Sequence, residues 1–213
     1  HLLRFDSVHG RFPGQVTTGA DWIDAGQGPV RVTAIRDPKD LPWGDVDVAL
    51  ECTGLFTDRA KAALHLENGS KRVLVSAPAE GADKTIVYGG NHGSLTAGDR
   101  IVSNASCTTN CLAPVVKVVH DAIGIRHGQI TTLHNPTNTN LVVDAPHKDL
   151  RRARSAMMSL APTTTSSATA IALIYPELKG KLNGHAVRVP ALNASLTDCV
   201  FEMKRETSVE EVN

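Results

Sequence analysis

The sequence predicts an α/β unit followed by an α+β unit, and three observations carry that reading. First, short β-rich runs surround one helical stretch in the first half: "VRVTAI" (30–35), "DVDVAL" (45–50), "RVLVSAP" (72–78), "KTIVYG" (84–89) and "RIVSNAS" (100–106). Such a pattern fits a mostly parallel, doubly wound sheet. Second, the apolar period lengthens to that of a helix after Cys107. Third, Cys199, Phe201 and Met203 alternate with Asp198, Val200 and Glu202, as in an antiparallel strand with one wetter face. The units divide near Cys107, giving residues 1–106 and 107–213.

In order, the runs at 30–35 and 45–50 are strands closed by the turn residues Asp37-Pro38 and Thr53-Gly54. "TDRAKAALHLENG" (57–69) reads as a helix capped by Thr57 or Asp58. Its apolar stripe is Ala60, Ala63 and Leu64, and Gly69 stops it. The runs at 72–78, 84–89 and 100–106 are buried strands. "TTNCLAPVVKVVHDAIG" (108–124) is a helix with Leu112, Val115, Val116 and Val119 on one face and Gly124 at its end. "GQITTLHN" (128–135) is a strand. Residues 135–165 are rich in Thr, Asn, Pro and Arg with little periodicity, a loop long enough to predict a functional or disordered segment. "ATAIALIYPEL" (168–178) is a helix running into Pro176, and "HAVRVP" (185–190) is a strand. Ser208 and Glu211 form a capping box at a last helix. There is no internal repeat.

The 213 residues are 41% hydrophobic, enough for a core, and 22 basic residues balance 22 acidic ones. A net charge of zero gives no whole-chain field for nucleic acid or an acidic membrane. No apolar run approaches the roughly 20 residues of a membrane helix. The chain opens at His1 without an initiator Met or a signal peptide and closes at the edge of a helix, so it reads as a piece of something longer. Four cysteines without a dense framework predict a reducing, cytoplasmic setting.

The segment "IVSNASCTTNCLAP" (101–114) concentrates the chemistry. A Cys107–Cys111 disulfide within one helical turn is strained. A zinc pair lacks further ligands, with neither CxxC nor HExxH present, so no metal site is expected. What remains is a thiol at a helix N-terminus, where unpaired N–H groups and the helix dipole favour the thiolate. Cys111, one turn in, reads as a packing residue, and a merely structural Cys107 stays open on these residues alone. Of nine histidines, His134 ends a strand, where such sheets carry functional groups. Within reach of Cys107 it would hold the thiolate and serve as acid and base. His9, His65, His92, His120 and His147 read as solvated or capping residues. Ser106, Thr108, Thr137, Thr139, the run Thr163–Ser167, Arg188 and Arg151, Arg152 and Arg154 offer hydroxyls and guanidiniums of the kind that bind phosphate oxygens. An ordinary N-cap run and a solvated arginine surface are the alternative.

Together "SNASCTTNCLAP", "TTLH", "APTTTSSATA", "PELKGKLNGHAVRVP" and "LLRFDSVHGRF" closely resemble phosphorylating glyceraldehyde-3-phosphate dehydrogenase, nearly end to end and in order. The resemblance implies that Cys107 attacks the aldehyde of glyceraldehyde 3-phosphate, with its backbone N–H helping to hold the oxyanion. His134 activates the thiol and takes the proton when hydride leaves for NAD. Thr137 and Arg188 look like the site of the substrate's C3 phosphate. Ser106, Thr108 and Thr165 look like that of the attacking inorganic phosphate, with Ser166 standing where the family usually has Gly. "ECTGLF" (51–56) and "SAPA" (76–79) resemble stretches lying along NAD, with Thr53, Gly54, Phe56 and Ser76 as the contacts.

The loop 135–165 would reach a neighbouring subunit, implying a homotetramer. The Gly-rich phosphate turn, the acidic ribose ligand and the last helix of the family are absent, leaving an incomplete Rossmann-type NAD-binding domain followed by a partial catalytic domain. "HNPTNTNLVVDAPHKDLRRARS" (134–155) keeps Asp144-x-Pro146, Arg151 and Arg154 but looks one residue shorter than the glycolytic form. In this it resembles the branch encoded beside an arsenate-resistance efflux transporter, in which arsenate is the acyl acceptor and 1-arseno-3-phosphoglycerate the product. A hydroxyl-lined pocket separates two near-isosteric tetrahedral anions poorly. The rival readings are an erythrose-4-phosphate or aspartate-semialdehyde dehydrogenase, a non-catalytic fragment, and a Cys–His hydrolase, for which no third orienting residue is evident.

Overall fold

A computed structural model describes all residues from 1 to 213. Two small antiparallel sheets open the chain: β1 (Phe5–Asp6) with β2 (Gly10–Arg11), then β3 (Thr17–Thr18), β4 (Trp22–Asp24) and β5 (Val30–Arg31). The strand expected over 30–35 is therefore shorter and belongs to an antiparallel ribbon. Val30, Val32 and Ile35 all stay exposed, because no helix covers them, and without burial there is little to extend the pairing.

The parallel sheet follows. It contains β6 (Val48–Glu51), β7 (Arg72–Val75), β8 (Lys84–Thr85) and β9 (Ile101–Ser103) in the order β6-β7-β9-β8, every pairing parallel. Between β6 and β7 the chain forms α1 (Arg59–Ala62) and α2 (Leu64–Glu67). The Asp58 side chain caps α1 by accepting from the Lys61 N–H, and Gly69 ends the segment at φ +106. The predicted helix is thus two short ones, and the buried face carries Ala62 and His65 while Ala60 is exposed. Ala62 packs with Val73, Val75 and Ile101 in a four-residue core. Only that face of the sheet is covered: Ala49 and Glu51 point into it, and Val48 and Leu50 point out. The run at 84–89 leaves the sheet after Thr85, because Asn91 Oδ1 takes the Val87 N–H and Gly89 turns the chain at φ +81.

The larger layer begins with α3 (Cys107–Ala122), which runs into β10 (Ile125–His134) through Gly124 at φ +85. β11 (Ala161–Thr163), α4 (Ser167–Ile174), β12 (Leu182–Arg188), β13 (Leu196–Met203) and α5 (Val209–Val212) complete the chain. The second sheet has the order β11-β12-β10-β13, with β10 parallel to β12 and antiparallel to β13. β13 shows the expected alternation, with Cys199, Phe201 and Met203 toward the core.

Thirteen buried residues form this core, among them Leu112, Val116, Ile125, Ile130 and Ile171, with Val87 and Ala105 joining from the first half. Each buried Val, Leu or Ile side chain among them contributes about 1.5–3 kcal/mol by leaving water. Val115 departs from the predicted stripe and is exposed, since a helix packed on one sheet buries a narrower arc than Val115 and Val116 together span. Residues 135–165 hold only a short turn at Leu150–Arg152 besides β11. Ser208 caps α5 as expected, but Glu211 turns to Arg205 and Thr207 instead of returning to the cap. No helix is long and apolar enough to cross a membrane.

Candidate active site

The site is built where β9 ends and α3 starts. Ser103 fixes the exit: its hydroxyl donates to Ala77 O at 2.8 Å and accepts from the Ala105 N–H at 3.1 Å. Ala105 then adopts φ +58, a left-handed conformation that costs a residue with a Cβ roughly 1–2 kcal/mol. Ser106 caps the helix through the Thr109 N–H at 3.1 Å, and the Asn110 amide holds Asn104 O and Ser106 O. Cys107 is consequently the first residue of a sixteen-residue helix, with its thiol exposed.

β10 brings the partner. Residues Ile130, Thr132 and His134 share its buried face, and His134 Nε2 stands 3.4 Å from Cys107 Sγ. Register pairs His134 with Arg188 on β12. Arg188 Nη1 lies 2.8 Å from His134 Nδ1 and donates to Asn135 O at 2.7 Å. The same Asn135 oxygen is 2.7 Å from His134 Nδ1. Asn135 is itself fixed by Ser195, which accepts its N–H and donates to its Oδ1. The Arg188 Nε is buried without a partner. Burial pushes the Arg188 guanidinium below its ordinary range, neighbouring Arg152 adds to this, and Cys107 opposes it.

Of the loop arginines only Arg152 comes near: it donates twice to Thr163 Oγ1, at 3.0 and 2.7 Å. Arg151 pairs with Asp149 and Arg154 with Asp144 on the surface, although the loop's Arg pattern gave no way to choose among the three.

The remaining candidates divide. Ser106, Thr165 and Ser167 form a hydroxyl chain, Thr165 Oγ1 to Ser167 Oγ at 3.0 Å and Ser106 Oγ to Ser167 Oγ at 3.5 Å. Thr108 is buried in the first turn beside Cys107. Ser166 is exposed at the start of α4 and its side chain caps nothing. Thr137 is exposed and bonds to Thr139 and Asn140, with no bond to Arg188. A cleft of about 740 Å³ runs between Pro78–Glu80, Ser106 and α4, and Cys107 and His134 are not on its wall. Cys111 is exposed, contrary to its expected packing role, because the face of α3 that packs carries Leu112 and Val116 instead.

Thr53, Gly54, Phe56 and Ser76 gather at the carboxyl ends of β6 and β7, the edge at which open parallel sheets bind ligands. Gly54 has φ +74 and open space around it. The turn is anchored from below by Glu51, which accepts the Thr53 N–H at 2.8 Å and the Thr53 hydroxyl, and takes His65 Nε2 at 2.9 Å. His65 Nδ1 in turn accepts from Trp43 at 3.0 Å. His65 is thus neither solvated nor a cap but buried within a carboxylate–imidazole–indole chain. Burial pushes the Glu51 carboxyl up, but bonds from the Thr53 hydroxyl, His65 and the Thr53 N–H outweigh this and hold it below its ordinary range. His120 is a cap as expected, accepting the Ile125 N–H.

A parallel sheet with open turns at its carboxyl ends, joined to a mixed sheet whose central strand meets a helix-borne thiol, defines an α/β protein of the cysteine–histidine class. Comparison with known proteins makes the class specific. Residues 1–59 match the model for the glyceraldehyde 3-phosphate dehydrogenase NAD binding domain, and residues 106–213 match that for the C-terminal domain of the same family. Across its whole length the chain is 63% identical to a glyceraldehyde-3-phosphate dehydrogenase of Cereibacter sphaeroides and 59% identical to one of Xanthobacter flavus. It is 54% identical to the plasmid form from Cupriavidus necator. The chain belongs to the glyceraldehyde-3-phosphate dehydrogenase family. It spans 64% of the length of these relatives.

Proposed function

We propose that the chain carries the reacting half of an NAD-dependent oxidation of glyceraldehyde 3-phosphate through a cysteine thioester, with an inorganic oxyanion as acyl acceptor. The observation that carries the reading is the 3.4 Å approach of His134 Nε2 to Cys107 Sγ at the head of a helix. In this reading the division falls at Cys107, with 1–106 serving the cofactor and 107–213 the substrate.

Cys107 as thiolate attacks the aldehyde carbon, favoured by the helix N-terminus, while its backbone N–H and the imidazole face the developing oxyanion. His134 gives its Nε2 proton to that oxygen and recovers it as the thioester forms. NAD, when bound, supplies the hydride acceptor. The exposed turn at Thr53, Gly54 and Phe56, with Ser76 beside it, fits a flat cofactor, because Gly54 puts no side chain in the way. Arg188, with an unpartnered buried Nε and Arg152 beyond it, suits a dianionic C3 phosphate, toward which Thr137 would close. Ser106, Thr108, Thr165 and Ser166 lie along the two helix starts and suit the attacking phosphate or arsenate.

A homotetramer fits the apolar side chains left open on the second sheet and the long loop, including Leu133, Leu196, Val200, Val142, Val143 and Met158. Four unpaired cysteines fit a cytoplasmic setting. The test is NADH formation by the full-length enzyme. It should require both the triose phosphate and phosphate or arsenate, and Cys107→Ser should abolish it. NADH formation by Cys107→Ser at the parent rate contradicts the reading. A higher kcat/KM for erythrose 4-phosphate or aspartate semialdehyde moves the assignment to a rival substrate, and parallel runs with the two oxyanions identify the preferred acceptor.

A further inference from the structure

A chain of hydroxyls joins the start of α3 to the start of α4, and its middle member is Ser167. This first residue of α4 is 5% exposed, and its Oγ meets a neighbour on either side. Thr165 Oγ1 accepts the Ser167 N–H at 3.2 Å and gives its own proton to Ser167 Oγ at 3.0 Å. Ser106 Oγ stands 3.5 Å from Ser167 Oγ, well beyond the roughly 2.7–2.8 Å of an ordinary hydroxyl bond. Ser106 is engaged elsewhere: it accepts the Thr109 N–H at 3.1 Å and shares a proton with the Thr109 hydroxyl at 2.7 Å. The Ser167 proton therefore faces only a distant acceptor, although the side chain is buried. Ser166 offers no substitute, since it is exposed and its side chain caps nothing.

We infer that Ser167 is a positioning residue for the attacking oxyanion, acting through the Thr165 hydroxyl. The inference rests on the proposed oxyanion role of Ser106 and Thr165. In the ligand-free arrangement Thr165 gives its proton to Ser167. An oxyanion oxygen facing the two helix starts accepts, so Thr165 must turn that proton outward to hold it. A hydroxyl carries one donor and two acceptor pairs, and Ser167 can answer by rotating its loosely held proton onto Thr165 Oγ1. Thr165 then has two donors behind it, the Ser167 N–H and the Ser167 O–H, and its own proton points at the anion. The exchange is two rotations about C–O bonds, with no proton transferred. Ser167→Ala leaves Thr165 with the N–H alone, so nothing holds its hydroxyl to one direction. The step affected is attack on the thioester. There an oxyanion oxygen bonds to the acyl carbon, the carbon–sulfur bond breaks, and the proton of hydrogen phosphate or hydrogen arsenate passes to the Cys107–His134 pair. Hydride transfer precedes it and does not draw on Ser167.

The experiment is rapid-mixing kinetics of the full-length enzyme with NAD and glyceraldehyde 3-phosphate, following NADH first without and then with inorganic phosphate or arsenate. Ser167→Ala should keep the parent's NADH burst in rate and amplitude. Its kcat/KM for phosphate should fall about 3–10-fold, the size of one neutral hydrogen bond, and that for arsenate should fall alike. Thr165→Val should lose more, and adding Ser167→Ala to it should lower the value no further, since the two hydroxyls act as one unit. Equal kcat/KM in the parent and Ser167→Ala overturns the inference alone. So does a burst slowed in proportion, which marks a general disturbance of the site, and so does a further loss on the Thr165→Val background. A parent whose turnover ignores both anions overturns the acceptor reading and the inference with it.

Discussion

Two buried histidines, His65 beneath the turn at Thr53 and Gly54 and His134 beside the thiol, differ in how completely their bonds agree. His65 receives the Trp43 N–H at Nδ1 and gives its Nε2 proton to Glu51, so each nitrogen has one partner and one role. His134 faces a thiol at Nε2 and two incompatible partners at Nδ1. The satisfied chain rigidifies a turn, and the contested one leaves the Nδ1 atom of His134 with more than one candidate partner. A histidine fixed for structure has one answer; one that moves protons needs two.

The largest effect that sharpens this contrast is kinetic. His134→Asn should lower kcat of the full-length enzyme by about 10²–10⁴-fold, the usual contribution of a positioned acid–base group. Urea unfolding of the same variant should show a much smaller loss of stability than its counterpart at His65. A kcat within twofold of the parent breaks the contrast from one side. His65→Ala breaks a buried pair and should destabilise the chain by about 3–5 kcal/mol, read as a lower urea midpoint, because Glu51 is left without its imidazole. If His65→Ala instead unfolds at the parent midpoint, the network is not what holds the turn.

A smaller effect is the pH dependence tied to Glu51. Its folded carboxyl sits below the ordinary 4.5, so the stabilisation is present above that value and is lost as pH falls through the lower folded one. The acid limb of a stability–pH curve should therefore be shallower in Glu51→Gln than in the parent; superimposable limbs would count against the network. The smallest effect concerns the turn that aims the thiol. Ala105→Gly removes a Cβ from a φ of +58 and should raise stability by up to about 1 kcal/mol, net of the added freedom of the unfolded chain. A loss of stability there would show that the Ala105 methyl, buried in the large core, outweighs the strain.

Much of this was legible in the sequence. The long helix and β13 announce themselves because each turns a regular apolar stripe toward the core. Cys107 was legible from its place between a strand and a helix, and His134 from its place at a strand end. The short first-half strands were blurred, because half their face is uncovered and exposed Val48 and Leu50 look the same on paper as buried ones. Arg152 could not be told from Arg151 and Arg154, since a loop has no period to say which side chain turns inward. Asn135 and Ser195 carried no signal at all: one acts through a backbone oxygen and the other through a partner 60 residues away. Glu51 and His65 were hidden for a related reason, since a buried polar pair reads in sequence as two surface residues.

The proposed chemistry stands on the Cys107–His134 pair being assembled as a thiolate site. The direct test is the rate of alkylation by iodoacetamide at each of the four cysteines against pH, read by peptide mass. Cys52, Cys107 and Cys111 are all exposed, so access alone cannot separate them, and burial pushes the Cys199 thiol up. Below pH 7 Cys107 should react far faster than the other three, and glyceraldehyde 3-phosphate should protect it. Three exposed cysteines reacting alike, with the midpoint near the ordinary thiol value of about 8.5, would contradict it.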